Sequence, residues 1–176
     1  MGLLKDFPEL RQTYNYDCGA TALQAVLAYY GIELREDLLM RETKTTEEGT
    51  QIPSIIRTAE AHGLHCEAHD MKIEELQEYV NRQIPIIIPL QAWTKRPDNN
   101  WKEDQEDGHY AVVIGYDDQK IIFEDPSAFE RTYLLYDEFD ERWHDVGVDG
   151  TRYIHYGIAI SGPEVEIDRE LPVHMD

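Results

Sequence analysis

The chain has 176 residues, the length of one domain with a sizeable core, and 36 acidic against 16 basic side chains give it a formal net charge of -20. This charge argues against nucleic-acid binding, which needs a basic surface, and is compatible with a highly soluble surface, a salt-adapted organism or a cationic partner. The sequence contains no apolar run of about 18 residues and no signal-peptide pattern, so we expect a cytoplasmic protein that does not cross a membrane.

The first half of the chain is predicted to be mainly helical. Apolar residues recur at helical spacing after Asp17, and Asp17 or a neighbour can cap a helix that starts near Cys18 and ends at Gly31. A second cap is expected at Thr50. The helices that these patterns predict lie, in chain order, at 18–30, 36–41, 50–62, 73–82 and 136–143.

The second half of the chain is predicted to consist mainly of antiparallel strands. The expected strands lie at 64–69, 85–90, 109–116, 120–124 and 153–160. Because most helices precede most strands, we expect one α+β domain over residues 1–160, followed by a polar and acidic tail over 161–176.

A long loop from Ala92 to Asp107 separates two of these strands and ends beside His109. It carries Trp93, Trp101 and charges of both signs. Long loops in compact domains are either functional lids or disordered inserts, and the sequence leaves both interpretations open.

Cys18 and Cys66 are the only thiols of the chain. A disulfide between them would need an oxidising compartment, which nothing in the sequence indicates, so we expect free thiols. Cys18 stands at the expected start of a helix, where the helix dipole and a nearby imidazolium lower the pKa of a thiol. A small core residue is the alternative interpretation, although the polar residues upstream favour a functional one.

The register of the expected hairpin predicts that His109 lies near Asp125. The turn is at Asp117-Asp118, and position 117 is the midpoint of 109 and 125, so the two residues lie close to opposite each other. A carboxylate in that place can hold the imidazole in one tautomer and stabilise its charged form.

Two other carboxylates could take the place of Asp125. Strand alternation points Glu124 to the opposite face of the sheet, and Asp107 lies in the long loop. Asp125 could also be a plain turn residue before Pro126, and a lone His at a strand start is more often structural than catalytic.

Gln12 lies six positions before Cys18 and offers an amide N–H group. Together with the backbone N–H of Cys18, this amide could stabilise an oxyanion. Without that spacing, Gln12 would be interpreted as a solvent-facing side chain.

The order Gln12, Cys18, His109 and Asp125 resembles that of the papain-like cysteine peptidases, including the six-residue step from Gln to Cys. Over residues 10–160 the chain resembles, more narrowly, the bacteriocin-processing, double-glycine leader peptidases of family thirty-nine and their stand-alone relatives. The segments that carry this resemblance are 12–20, 27–31, 48–50, 59–64, 85–89, 108–115, 125–126 and 138–143.

This resemblance implies a papain-like (cysteine proteinase) fold, with an N-terminal helical lobe packed on a mainly antiparallel sheet. By the same resemblance Cys18 is the nucleophile, His109 the general base and acid, Asp125 the orienting residue and Gln12 the oxyanion donor. It also implies a peptide or protein substrate. A cationic substrate would suit the acidic chain.

A metal site and a cofactor are not expected. His62, His65, Cys66 and His69 are of the types that bind zinc, but the expected strand points His65 and His69 one way and Cys66 the other. The sequence contains no Gly-x-x-x-x-Gly-Lys-Ser/Thr phosphate loop.

Two other functions remain open at this point. The same residues could transfer the acyl group to an amine instead of water, because both reactions share the first step. The scaffold could also bind a peptide or protein without turnover.

Overall fold

The chain forms five helices and nine strands within residues 1–165 and 171–176, the part that this computed structural model describes. The helices are α1 (Cys18–Tyr29), α2 (Glu36–Glu42), α3 (Ile52–Ala61), α4 (Ile73–Asn81) and α5 (Tyr136–Arg142). The strands are β1 (Gly2–Leu3), β2 (His65–Asp70), β3 (Ile86–Gln91), β4 (Gly108–Tyr116), β5 (Lys120–Glu124), β6 (Thr132–Leu135), β7 (His144–Val146), β8 (Arg152–Ile154) and β9 (Tyr156–Ser161).

Seven of these strands form one sheet in the order β2-β9-β3-β4-β5-β6, with β1 paired to β4. Its neighbouring strands are all antiparallel, and β7 and β8 form a separate two-stranded sheet. Helices α1 and α4 pack on β4, and α3 packs on β2. The predicted α+β class, with a helical lobe against an antiparallel sheet, is confirmed.

Strand β3 lies in the centre of the core, and all six of its residues are buried. It pairs with β4 over its full length but with β9 only at Ile86 and Ile87. The β9 side of Pro89 is therefore free of a partner strand, so the missing N–H of the proline breaks no ladder hydrogen bond.

The helix starts differ in detail from the prediction. The N-cap position of α3 is occupied by Gln51 and not by Thr50, and its side chain makes no capping hydrogen bond. Thr50 instead accepts a hydrogen bond on its backbone oxygen from the hydroxyl of Tyr110, at 2.7 Å. That bond joins the start of α3 to β4.

The strand predicted over 153–160 is interrupted at His155, whose backbone has a φ of +51°. This left-handed residue separates β8 from β9. Its ring stacks on Trp143 with the ring centres 4.8 Å apart, and its backbone N–H bonds to the Trp143 carbonyl at 2.9 Å. The strand thus breaks where His155 packs on Trp143, the residue that follows α5.

The hairpin of β4 and β5 forms as predicted, but its register differs. The ladder pairs Val112 with Glu124, and a bulge lies between Val113 and Gly115. Extending this register places position 125 across from 111, two residues away from His109. The two predicted partners are therefore diagonal neighbours, which lie within reach of a long side chain.

Ser161, the first residue of the tail predicted over 161–176, is the last residue of β9. Part of this tail, 166–170, lies outside the described residues. Within the described ranges, no helix combines the length and hydropathy that crossing a membrane requires.

Candidate active site

Cys18 is the first residue of α1 and lines a cavity of about 290 Å³. The residue is 8% exposed, so only a small part of it contacts solvent. A Cβ atom on Gly19 would lie 2.8 Å from the Thr50 side chain and 2.9 Å from the Tyr110 ring. Because only glycine fits there, α1 can approach β4 closely and present Cys18 at its N-terminal end.

Asp17 fixes the turn between Gln12 and Cys18. Its carboxylate is fully buried and accepts hydrogen bonds from the backbone N–H groups of Thr13 at 2.8 Å and Tyr14 at 2.9 Å. The side chain thus bonds upstream instead of capping α1, where it makes no capping hydrogen bond. Burial raises the pKa of Glu36, and the neighbouring Asp17 carboxylate raises it further.

His109 and Asp125 meet in a buried hydrogen bond of 2.7 Å between Nε2 and Oδ1. Their side chains are 7% and 5% exposed. Asp125 also accepts hydrogen bonds from the backbone N–H of Ser127 at 2.8 Å and from the indole N–H of Trp93 at 3.0 Å. Four donors converge on this carboxylate when the longer contact from the Thr132 hydroxyl, at 3.4 Å, is included.

These contacts decide the charge of the pair. Burial lowers the pKa of His109, but the hydrogen bond to Asp125 and the neighbouring Cys18 side chain raise it, to about 10. Burial raises the pKa of Asp125, but the hydrogen bond with His109 and those from Ser127 and Trp93 outweigh it, and the pKa is lowered. The carboxylate is therefore ionised and the ring is protonated at neutral pH.

Gln12 is attached to the turn that follows Asp125. Its backbone N–H bonds to the Pro126 carbonyl at 3.0 Å, and its side-chain oxygen accepts a hydrogen bond from the Ser127 hydroxyl at 2.8 Å. Its amide nitrogen donates to the Tyr14 carbonyl at 2.7 Å. A side-chain amide has two N–H donors, so one remains for another acceptor.

The two competing carboxylates point elsewhere. Glu124, which is buried, forms an ion pair with the half-buried Arg11, and Asp107 lies 2.7 Å from the Arg96 guanidinium. Neither makes a hydrogen bond with His109 in the described part of the chain. Cys66, on β2, is half-buried, and both cysteines are free thiols.

The loop from Ala92 to Asp107 is held together by Arg96. The guanidinium bonds to Asp104 at 2.6 Å and to Asp107 at 2.7 Å, and the two ends of the loop are joined by a backbone hydrogen bond of 3.0 Å from Ala92 to Asp107. The loop thereby holds Trp93, whose backbone φ is +62°, against Asp125. A left-handed conformation at a bulky residue costs energy and persists where surrounding contacts hold it.

The contact between Trp93 and Asp125 was not predicted from the sequence. The only available signal was a tryptophan in a long loop that ends beside His109. Asp145, which lines the same cavity as Cys18, was not predicted from the sequence either. It lies on β7, a strand of three residues that is too short to show a periodic pattern.

We expect Trp93→Phe to lower kcat about tenfold, because it removes one hydrogen bond to a charged group while retaining an aromatic ring. The indole N–H lowers the pKa of Asp125, so its loss should also move the acidic limb of the pH–activity profile to higher pH. Hydrolysis of p-nitrophenyl acetate over a range of pH measures both effects.

Trp101→Phe is the matched control, because Trp101 lies in the same loop but stacks on Arg142, with the guanidinium carbon 3.9 Å from the ring centre. It should leave the acidic limb in place. Equal shifts in both variants would contradict a specific role of the Trp93 indole.

Comparisons with known sequences identify the family of the chain. A sequence profile of the peptidase C39 family matches residues 6–148. PedD of Pediococcus acidilactici, a transport/processing ATP-binding protein for pediocin PA-1, is 26% identical over 133 residues, 75% of this chain and 17% of PedD. An uncharacterized protein of Methanothermobacter marburgensis is 30% identical over 118 residues, 67% of this chain and 70% of that protein. The chain thus spans less than a fifth of the length of PedD.

Solved structures share the fold. A putative C39-like peptidase from Bacillus anthracis superposes with a TM-score of 0.71 at 18% identity, covering 93% of this chain and 98% of that one. The peptidase domain of Streptococcus ComA gives 0.67 at 22% identity, covering 89% and 99%. A double-glycine motif protease from an AMS/PCAT transporter, solved with its leader peptide, gives 0.63 at 17% identity, covering 91% and 97%.

The predicted papain-like fold is confirmed by these structures, and the enzyme class is that of a cysteine peptidase-type hydrolase. The profile match covers most of the chain, including Cys18, His109 and Asp125. The chain belongs to the peptidase C39 family.

Proposed function

We propose that the chain cleaves a peptide or amide bond with Cys18 as nucleophile, His109 as general base and acid, and Asp125 as the residue that orients the ring. The observation that carries this proposal is the buried hydrogen bond of 2.7 Å between His109 and Asp125. The Cys18 side chain also raises the pKa of the His109 ring. Nε2 is engaged with Asp125, so Nδ1 is the ring nitrogen left for the sulfur.

The proton transfers follow from this arrangement. A ring that donates Nε2–H to a carboxylate has a lone pair on Nδ1 when neutral, so the proton that Nδ1 holds in the resting, protonated ring is the one that the thiol has given up. The resulting imidazolium stabilises the thiolate, which attacks the carbonyl carbon. His109 then gives its proton to the leaving amine, and water hydrolyses the thioester with the ring again as base.

Two N–H groups are proposed to stabilise the oxyanion. The first backbone N–H groups of a helix have no partner within the helix, so the N–H of Cys18 is available at the start of α1. The second donor is the remaining N–H of Gln12, whose position is fixed through Ser127 to the turn that carries Asp125. Gln12→Glu would replace that donor with an acceptor.

A peptide is the proposed substrate class. The double-glycine motif protease that shares this fold was solved with a leader peptide, and PedD is named as a transport/processing protein. Peptides that end in a double glycine before the scissile bond are therefore the first panel to assay.

Two reagents test the thiol mechanism without a known substrate. Iodoacetamide should label Cys18 faster than Cys66, because burial, followed by the charge of Glu60, raises the pKa of Cys66 to about 12. With p-nitrophenyl acetate, wild-type protein and Cys66→Ser should give a burst of one nitrophenolate per chain, and Cys18→Ser should give none. Equal labelling of both cysteines, or a burst that survives Cys18→Ser, would overturn the proposal.

A further inference from the structure

The cavity at Cys18 is lined by acidic side chains. Glu47, Glu48, Glu106 and Asp145 all face it, and within the described residues its lining contains no Lys or Arg. Cys18, whose sulfur is proposed to attack the substrate, lines the same cavity, so these carboxylates surround the space next to the nucleophile.

Asp145 is the most enclosed of the four. Its Oδ1 accepts hydrogen bonds from the Gln91 amide at 3.1 Å and from the backbone N–H of Val146 at 2.8 Å. A Cβ atom on Gly108 would lie 3.0 Å from both carboxylate oxygens, so the carboxylate covers the residue directly before His109. Asp145 is thus fixed against Gly108 and is not free to swing into solvent.

This carboxylate has no cationic partner in the protein. Across residues 1–165 and 171–176, no basic side chain forms an ion pair with Asp145. Burial raises the pKa of Asp145, despite its hydrogen bonds with Val146 and Gln91. A partly buried carboxylate without a counter-charge is unfavourable, and a cation that enters the cavity would compensate for it.

The other acidic residues differ in how much charge they leave free. Glu106 is paired with Arg96 at 3.2 Å, which neutralises part of its charge. Glu47 and Glu48 lie on the exposed turn from Thr46 to Gly49, before α3, and have no basic partner among the described residues. The carboxylates therefore approach the cavity from separate segments of the chain.

Aromatic rings complete the lining. Tyr16, Tyr110 and Tyr153 face the same cavity, and the ring face of a tyrosine attracts ammonium and guanidinium groups. Carboxylates and tyrosine rings together are the surroundings that Lys and Arg side chains bind best. Anionic side chains would be repelled by the same lining.

We propose that the cleft selects peptides with a Lys or Arg side chain close to the scissile bond, and that Asp145 is the main residue that binds this cation. The inference rests on the proposed thiol hydrolase function, because Cys18 has to attack the peptide so held. It adds a preference for cationic side chains and assigns that preference to one residue of the cleft. The overall negative charge of the chain would not identify that residue.

Charged thiol reagents test the preference without turnover. The rates at which trimethylammonium-ethyl and sulfonatoethyl methanethiosulfonate modify Cys18 are measured in a Cys66→Ser protein, and their ratio is divided by the ratio for 2-mercaptoethanol. We expect a preference of about tenfold for the cationic reagent at low salt, which shrinks as salt is added. Asp145→Asn should remove most of it.

Asp118→Asn is the matched control, because it removes the same charge from the exposed turn of the β4–β5 hairpin, outside the cavity lining. It should leave the ratio unchanged. Equal losses in Asp145→Asn and Asp118→Asn would show that only the net charge of the protein matters, and would overturn the inference.

Peptide pools test the preference during turnover. Quenched fluorescent pools carry Lys, norleucine or Glu at one fixed position on either side of the cleaved bond. Wild type should cleave a Lys pool about tenfold faster than its norleucine counterpart, and Asp145→Asn should cleave the two equally. Equal cleavage by wild type, or a preference for Glu, would overturn the charge preference alone. A Cys18 that reacts no faster than a free thiol and cleaves no pool would overturn the proposed function itself.

Discussion

Cys18→Ala is expected to abolish the hydrolysis of p-nitrophenyl acetate and of peptides, with kcat lower by up to about 10⁶-fold. No other thiol can replace it, because Cys66 lies on β2 and burial raises its pKa to about 12. The variant should still fold, since a small side chain is shortened by one atom at the edge of a cavity. Steady-state kinetics and urea unfolding together measure the two expectations.

The same variant has a second readout that needs no substrate. Cys18 is one of the groups that raise the pKa of His109, so removing it should lower the pKa of the ring, which NMR titration of the imidazole measures directly. Cys66→Ala is the control and should change neither kcat nor that titration. Residual activity above about one per cent, or an unchanged His109 titration, would contradict the thiol–imidazole pair.

The local patterns predicted the helices well because each helix carries its own signals. Cys18 to Gly31 combines apolar residues at helical spacing with a glycine stop, and α1 ends at Tyr29 with Gly31 at a φ of +79°. The hairpin from His109 to Glu124 was found in the same way, from alternating residues on either side of a turn. For these elements, neighbours in sequence provide the information that determines the structure.

The missed elements depend on contacts between distant segments. Strand β1 has two residues and exists because it pairs with Gly115 and Tyr116 at the bulge of β4. A Cβ atom on Gly115 would lie 2.8 Å from the Leu3 side chain, so the glycine makes room for this pairing. A segment of two residues is too short to show a periodic pattern, so the sequence could not predict this strand.

The candidate site shows the same division. The positions of Cys18 and of the His109–Asp125 pair could be predicted, because a helix start and a hairpin locate them. Trp93 and Asp145 could not, because each reaches the site through a segment without a periodic pattern. The hydrogen bond from Trp93 to Asp125 connects residues 32 positions apart in the sequence, and the one from Gln91 to Asp145 connects residues 54 positions apart.

Asp125→Ala is expected to lower kcat by about 10⁴-fold, because the ring of His109 loses the group that fixes its tautomer. The free energy of unfolding should fall by about 3 kcal/mol, since His109 then stays buried without its partner and the N–H groups of Trp93 and Ser127 lose their acceptor. Kinetics with p-nitrophenyl acetate and urea unfolding measure these losses.

The loss of stability should depend on pH in a direction that the two pKa shifts determine. The pKa of His109 is raised to about 10, so its stabilising contribution is fully present below about pH 6.5 and is lost as the pH rises through about 10. The pKa of Asp125 is lowered, so its contribution is present above about pH 3.9 and is lost as the pH falls below that value. The difference between wild type and Asp125→Ala should therefore be largest between about pH 4 and about pH 6.5.

Glu124→Gln separates the role of the pair from the effect of removing any buried acid next to it. Glu124 is buried and bonded to Arg11 on the other face of β5, so its loss should reduce stability without moving the pH–activity profile. Asp125→Ala should change both, because its carboxylate holds the ring whose protonation the profile reports. If the two variants gave the same profile, Asp125 would be one buried acid among others, and the ring of His109 would be oriented by another group.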